Sequence, residues 1–250
     1  AKTARECVEM IGAMYSQYGI SYPSGVGVAD ANEVWYMEAG GGKCWVAQRV
    51  PGDSYLAVGN GYRIGAVNLE DKANFIYPSY LKSYLIEKNL WKPTGKNDIN
   101  FAEIFGGRKR AEKNYYDARR VWRAQQLLTP SFKQDPGTFD HPLLLKPDKK
   151  ITVKQLFGVL RDYYKGTPYE TCGGERAICI FRTVHTDVLQ LRKHMPPEIG
   201  AVMWAGVSSA FTTPYVPYYF GINGTPGPYR VAGPVYDEKS AFWHFRTLTN

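Results

Sequence analysis

Residues 25–61, GVGVADANEVWYMEAGGGKCWVAQRVPGDSYLAVGNG, decide the fold class of this chain. Four short runs, at 25–29, 33–38, 43–50 and 54–59, carry valine or aromatic residues at alternate positions, and turns rich in Gly, Asp and Asn separate them. This spacing is typical of an antiparallel meander of strands. The alternation also predicts that one face of the sheet is buried.

Helical patterns flank this meander. Before it, apolar residues recur at helical spacing from Ala4 to Tyr18, and Gly19 stops the pattern. Far beyond it, Thr152 and Gln155 have the spacing of a capping box, which predicts a helix that begins there. This helix is predicted to run to about 164. The other predicted elements are helices at 79–88, 116–128 and 240–248 and strands at 178–184, 186–191 and 201–204.

The order helix, strands, helices, strands, helix favours an α+β fold in which helices cover antiparallel sheets. No internal repeat or low-complexity linker interrupts the sequence, so we expect a single domain over residues 1–250. The longest apolar runs fall well short of the roughly 18 residues that span a bilayer, and no membrane partner is predicted. With 44% hydrophobic residues, the chain can bury a core, which excludes disorder of the whole chain.

Basic residues are concentrated in one part of the chain. The formal net charge is +8, and seven basic residues lie between 106 and 123 against two acidic ones. Tyr115, Tyr116 and Trp122 interleave with them, as in a nucleic-acid-binding patch. The alternative, a solvated helix face, is favoured over a polyanion-binding patch at 108–123.

Helical geometry separates the arginines of this patch. Arg119 and Arg123 lie opposite the apolar sector of the predicted helix, whereas Arg120 lies at its edge. We therefore expect Arg120 to be the half-buried arginine. A half-buried guanidinium requires an anion or several acceptors, although a snorkelling stem or a structural ion pair is the commoner explanation.

Asn60 ends the predicted strand at 54–59 and precedes Gly61. Its usual role there is to support a turn, and the alternative is donation from its amide to a developing oxyanion.

No serine elbow, zinc-binding helix motif or phosphate loop is present, so no metal or cofactor is predicted. The four cysteines lack zinc spacing. Cys172 and Cys179 either close a disulfide loop or remain separate core thiols.

Seven stretches together resemble the cysteine-dependent dipeptidase family of N-terminal nucleophile (Ntn) hydrolases. They occur in the order found in that family and cover nearly the whole chain, which makes them far more specific than any single motif. The stretches are VADANEVWYME (28–38), GKCWVAQRVP (42–51), AVGN (57–60), YRI (62–64), YDARRVWR (116–123) together with residues 127–131, YKGTPYE (164–170) and SAFWHFR (240–246).

The resemblance implies an αββα sandwich that hydrolyses dipeptides. The nucleophile of this family is a cysteine at the mature N-terminus, whose own α-amine, with a pKa of about 8, serves as the base. In the wider superfamily an asparagine at the position matching Asn60 helps to hold the oxyanion. An arginine of the helix supports the site; burial places it at Arg120, with Arg119 as the alternative.

The chain departs from this family at its first residue, because Ala1 offers no thiol and Cys7 lies within the predicted helix. The resemblance therefore implies that the nucleophile and the first strands lie upstream, and that the sandwich is incomplete without that segment. The expected partners are a dipeptide substrate and an upstream segment or chain that carries the nucleophilic cysteine. A non-catalytic binding or structural protein with an Ntn-like fold is the alternative. The sequence leaves open whether the protein forms a homo-oligomer. A secreted or periplasmic location is favoured over the cytoplasm.

Overall fold

The computed structural model describes residues 1–93, 98–106, 115–170 and 176–248. Its contacts divide the chain into two compact units, Ala1–Asp148 and Lys149–Asn250. Both units combine helices with antiparallel strands, so the predicted α+β class is confirmed. The single domain over residues 1–250 and the αββα layering stay predictions.

The first unit begins with a helix and continues with the meander. Its elements within the described residues are α1 (Ala4–Tyr18), β1 (Ser24–Ala29), β2 (Val34–Gly41), β3 (Cys44–Val50), β4 (Tyr55–Leu56), β5 (Ala66–Asn68), β6 (Phe75–Ile76), α2 (Leu81–Glu87), β7 (Asp98–Asn100), α3 (Phe101–Gly106), α4 (Tyr115–Leu128) and β8 (Leu144–Leu145).

Local signals begin and end α1 where they were predicted to. Thr3 Oγ1 accepts a hydrogen bond from Glu6 N at 3.1 Å and so satisfies one of the free amides of the first turn. Gly19 ends the helix with φ of 83°, a conformation that a glycine adopts without steric cost.

The predicted meander is confirmed as an antiparallel sheet in the order β1-β2-β3-β6. The register places Trp35 opposite Val28 on one side and Arg49 on the other. However, β2 is buried on both faces, and the prediction of one buried face is wrong for this strand. Trp35 packs in a cluster with Val8 of α1, whereas Tyr36 packs in a second cluster built from later segments.

A close contact between α1 and this sheet leads to a testable prediction. A Cβ added at Gly12 would lie 2.2 Å from the ring of Trp45, and Trp45 Nε1 is held by a 3.0 Å hydrogen bond to Ser16 Oγ. We expect Gly12→Ala to lower the free energy of unfolding by about 1–3 kcal/mol through overpacking. Without that contact, the same change in a helix would stabilise by about 0.5–1 kcal/mol.

Denaturant unfolding of the complete protein measures this effect. Met14→Ala, at an exposed position of the same helix, is the control, and we expect it to stay within about 0.5 kcal/mol of the wild type. A stabilised Gly12→Ala variant would contradict the packing of α1 against Trp45.

The second unit packs a helix against a three-stranded sheet in the order β11-β10-β9. Phe157 of the helix stacks on Tyr215 with 4.0 Å between ring centroids and meets Trp204 edge-on. The elements are α5 (Val153–Leu160), β9 (His185–Leu191), α6 (Pro197–Gly200), β10 (Ala201–Val207), β11 (Val216–Tyr219), a 3₁₀ turn (Gly227–Tyr229) and α7 (Ala241–Thr247).

The capping box at Thr152 and Gln155 is confirmed, although the helix ends at Leu160, earlier than expected. The predicted strand at 178–184 is wrong. Thr183 N bonds Ile180 O within a turn, and Cys179 N bonds the carbonyl of Asp162. Within the described residues, Val184 O alone is reached by a backbone N–H from the neighbourhood of a strand, that of Ser208 just after β10, and no ladder forms. Sequence alternation predicts an extended chain, but it does not supply the partner strand that a sheet requires.

Candidate active site

A cavity of about 1130 Å³ lies in the first unit. Its wall combines the chain after β4 with residues of β2, α3 and α4 and with the segment before β8. The charged, amide and imidazole side chains among its lining residues are those of Glu38, Asn60, Arg63, Asn100, Glu103, Asp117, Asp140 and His141.

The two site residues predicted from the sequence meet beside this cavity. Arg120 Nη2 donates to Asn60 Oδ1 at 2.7 Å. The same nitrogen also donates to Asp117 Oδ1, which in turn accepts a hydrogen bond from the backbone N–H of Asn60 at 2.8 Å. The loop and the helix are thus joined through both the side chain and the backbone of Asn60.

The orientation of the Asn60 amide follows from these bonds. Because Arg120 donates to Oδ1, Nδ2 lies at the other end of the planar amide. Within the described part of the chain, Nδ2 has no hydrogen-bond partner, and the side chain is exposed at the cavity wall. The arrangement therefore leaves an amide donor available to an acceptor that enters the cavity.

A glycine allows the loop to approach α4 this closely. A Cβ added at Gly59 would lie 3.0–3.1 Å from atoms of Asp117, so a side chain here would push the loop away from the helix. The predicted strand at 54–59 is accordingly shorter than expected. Only Tyr55 and Leu56 pair with a neighbouring strand, and the chain then leaves the sheet to reach Asp117.

A buried carboxylate holds the far end of the same loop. Glu38 is 1% exposed, and it accepts hydrogen bonds from Arg63 N at 2.6 Å, Ile64 N at 3.1 Å and the Tyr36 hydroxyl at 3.1 Å. Burial raises the pKa of Glu38, while these hydrogen bonds and the charge of Arg63 act in the opposite direction.

The segment before β8 forms another part of the wall and is fixed by side chains from elsewhere. The Arg63 guanidinium donates to the carbonyl oxygens of His141 and Pro142, and Gln125 Nε2 of α4 donates to Pro142 O at 2.6 Å. His141 Nδ1 lies 2.8 Å from Gln134 Oε1. Burial, and then the charge of Arg63, lower the pKa of His141, which favours its neutral form.

The burial of α4 differs from the prediction. Arg120 is partly buried as expected, with 17% of its side chain exposed. Arg119 and Arg123, predicted to lie opposite the apolar sector, are buried as well, at 8% and 7% exposure. A helical wheel considers only the residues of the helix, whereas burial also depends on segments that pack against it, such as the one that Gln125 binds at Pro142.

Four basic residues of the predicted patch, Arg108, Lys109, Arg110 and Lys113, lie outside the described residues. The same holds for Cys172, one of the two cysteines considered for a disulfide.

Sequence reasoning missed Glu38, Arg63 and Asp117 as parts of the site. A signal was present at 35–38, because an acidic residue there ends a run of large apolar side chains in a buried strand.

Cys7 and Cys44 of the first unit are not among the residues that line the cavity. Cys44 is fully buried, and burial raises the pKa of its thiol to about 11. Cys179 is 4% exposed, and burial raises its pKa as well. Raised thiol pKa values oppose formation of the nucleophilic thiolate. Cys7 is partly exposed but belongs to α1.

Two further findings concern the described residues as a set. They contain no group of three or more His, Cys, Asp or Glu side chains arranged to hold a metal ion. They also include no helix that combines the length and the apolar character needed to cross a bilayer.

Comparison with known proteins gives a consistent result. A model of Peptidase family C69, a family of cysteine peptidases, matches residues 1–250. The chain is 30% identical to a probable dipeptidase of Latilactobacillus sakei, over 98% of this chain and 53% of that protein. It is 32% identical to probable dipeptidase B of Lactococcus lactis, over 97% and 53%, and 26% identical to dipeptidase A of Lactobacillus helveticus, over 96% and 52%. The chain thus spans about half the length of these relatives.

Proposed function

The chain belongs to Peptidase family C69, and from this premise we propose that it is the part of a thiol dipeptidase that binds and polarises the scissile carbonyl. The relatives from Latilactobacillus sakei, Lactococcus lactis and Lactobacillus helveticus carry dipeptidase names. Because the chain spans about half of their length, the proposal assigns the nucleophilic cysteine to a segment outside these 250 residues. The predicted Ntn sandwich of antiparallel sheets belongs to the same proposal.

The observation that carries the proposal is the 2.7 Å hydrogen bond between Arg120 Nη2 and Asn60 Oδ1. It directs the Nδ2 donor of Asn60 away from α4, at the wall of a cavity that can admit a small peptide. A fixed donor of this kind stabilises negative charge that develops on a carbonyl oxygen during acyl transfer. Arg120 thereby acts as a positioning residue for Asn60.

The proposed reaction proceeds through a thioester. The α-amine of the N-terminal cysteine accepts the thiol proton, and the sulfur attacks the peptide carbonyl carbon to form a C–S bond. Asn60 donates to the resulting oxyanion. The C–N bond then breaks, and the leaving amine takes the proton from the α-ammonium group. Water hydrolyses the thioester, which releases the carboxylic acid and regenerates the thiol.

The cysteines of the described residues support the assignment of the nucleophile to another segment. Cys44 and Cys179 are buried with raised thiol pKa values, and Cys7 lies in the middle of a helix. None of the three has a free α-amine to serve as its base. The isolated chain is therefore expected to bind a peptide carbonyl without cleaving the peptide.

Hydrolysis by the complete protein tests the proposal. We expect it to release free amino acids from unblocked dipeptides and to lose this activity after alkylation with iodoacetamide, because the thiolate is the nucleophile. Activity that survives complete alkylation would contradict the thiol mechanism. An inactive complete protein that still binds dipeptides would favour the non-catalytic alternative.

A further inference from the structure

Glu38 presents an uncommon feature for a strand in the middle of a sheet, namely a carboxylate that is 1% exposed. Its two oxygens accept from two successive backbone amides of one loop: Arg63 N donates to Oε1 at 2.6 Å, and Ile64 N donates to Oε2 at 3.1 Å. In this pose a carboxylate accepts from both amides, one through each oxygen, whereas a glutamine would turn its amide donor toward one of them.

Burial of this charge is costly, since desolvation opposes the ionised form. The chain nevertheless places it among large apolar residues of β2, opposite the face that packs against α1. Removal of the carboxylate alone would leave two loop amides and the Tyr36 hydroxyl without their acceptor. The reason for a carboxylate at this position therefore lies in the groups that it bonds, two of which belong to the loop.

The loop in question carries Asn60 and would be mobile without support. Gly59 and Gly61 flank Asn60, and glycine has the greatest backbone freedom. Two carboxylates from different elements bind this loop: Asp117 of α4 binds Asn60 N, and Glu38 of β2 binds the amides three and four residues further on. Asn60 thus lies between two fixed points.

We propose that Glu38 is a positioning residue of this site: its carboxylate fixes the loop 60–64 so that the Asn60 amide stays at the cavity wall. The proposal rests on the function proposed above. Removal of the carboxylate would leave the amides of Arg63 and Ile64 without their acceptor. The loop beyond Gly61 would then be held by the side chains of Tyr62 and Arg63 and by the Ile64 carbonyl, which fix its backbone amides less directly. Small displacements of a catalytic group reduce the rate of the chemical step far more than they weaken substrate binding.

Glu38→Gln in the complete protein tests this role, because the amide keeps the size of the side chain but turns a donor toward one of the two loop amides. Hydrogen–deuterium exchange of a peptide covering 59–64 should be at least about tenfold faster than in the wild type. With a dipeptide substrate, kcat should fall by about tenfold or more, while KM changes by less than about threefold.

Met37→Ala is the matched control, because it weakens the same strand from its opposite face, where Met37 packs toward α1. We expect it to lower the unfolding midpoint but to leave both the exchange of 59–64 and kcat near wild type. A Glu38→Gln variant with wild-type exchange, or with faster exchange and wild-type kcat, would overturn the proposal. So would a Met37→Ala variant that matches Glu38→Gln in both measurements. A wild-type protein without dipeptidase activity would instead overturn the proposed function, and the exchange measurement does not depend on that activity.

Discussion

Asn60→Ala should lower the kcat of the complete enzyme toward dipeptides on the order of a hundredfold or more, with little change in KM. The amide donates to the oxyanion, which exists only in the transition state and the tetrahedral intermediate, so its loss does not weaken binding of the ground state. The side chain is exposed at the cavity wall, and its removal leaves the core intact. Steady-state kinetics on folded protein measure the effect.

Two further variants define the cause of that loss. Asn60→Asp keeps the shape and the acceptor oxygen but removes the donor, and it should be as slow as Asn60→Ala. Asn68→Ala removes an exposed asparagine that supports a turn through Glu70 N, and it should keep full activity. If folded Asn60→Ala retained kcat within about threefold of wild type, Asn60 would have no role in oxyanion stabilisation.

Arg120→Lys should lower kcat by roughly tenfold to a hundredfold. A single guanidinium nitrogen, Nη2, bonds both Asn60 Oδ1 and Asp117 Oδ1. The ammonium of lysine is one bond closer to the backbone, so it does not reach the position of Nη2. Without this bond the Asn60 amide is free to rotate, so that its oxygen faces the oxyanion for part of the time. The positive charge is retained, and the expected loss therefore reports on geometry.

A double-mutant cycle distinguishes this positioning role from direct action on the substrate. If Arg120 acts through Asn60, adding Arg120→Lys to Asn60→Ala should cost little more than Asn60→Ala alone. Fully multiplicative losses would contradict the positioning role. Arg119→Lys is the matched control, since Arg119 is the neighbouring buried arginine; it should alter stability more than kcat.

The sequence predicted the elements that depend on local signals. The helix ended by Gly19 and the capping box at Thr152 require only neighbouring residues. The strands around 34–50 find their partner in the next strand across a short turn. The strand predicted at 178–184 failed because a strand needs a partner as well as an extended sequence. The second buried face of β2 was missed for a related reason, since the cover comes from residues far along the chain.

The site residues divide in the same way, into those that local sequence indicated and those that depend on contacts with distant residues. The resemblance to dipeptidases indicated Asn60 and Arg120, and the edge of the apolar sector suggested a half-buried Arg120. Glu38 and Asp117 were not predicted as site residues, because their role consists of bonds to a distant loop. Asp117 is 57 residues from Asn60 in the sequence, and Glu38 is 25 residues from Arg63.

By itself the sequence determined the α+β class, the antiparallel meander and the family, because hydrogen-bonding propensity, apolar spacing and motif order can all be recognised along the chain. Only the tertiary structure decided which arginine meets Asn60, which way the amide points and which carboxylates hold the loop. Those features depend on distances of about 3 Å between residues far apart in the sequence, and only the packing of α4 and β2 around the loop sets such distances.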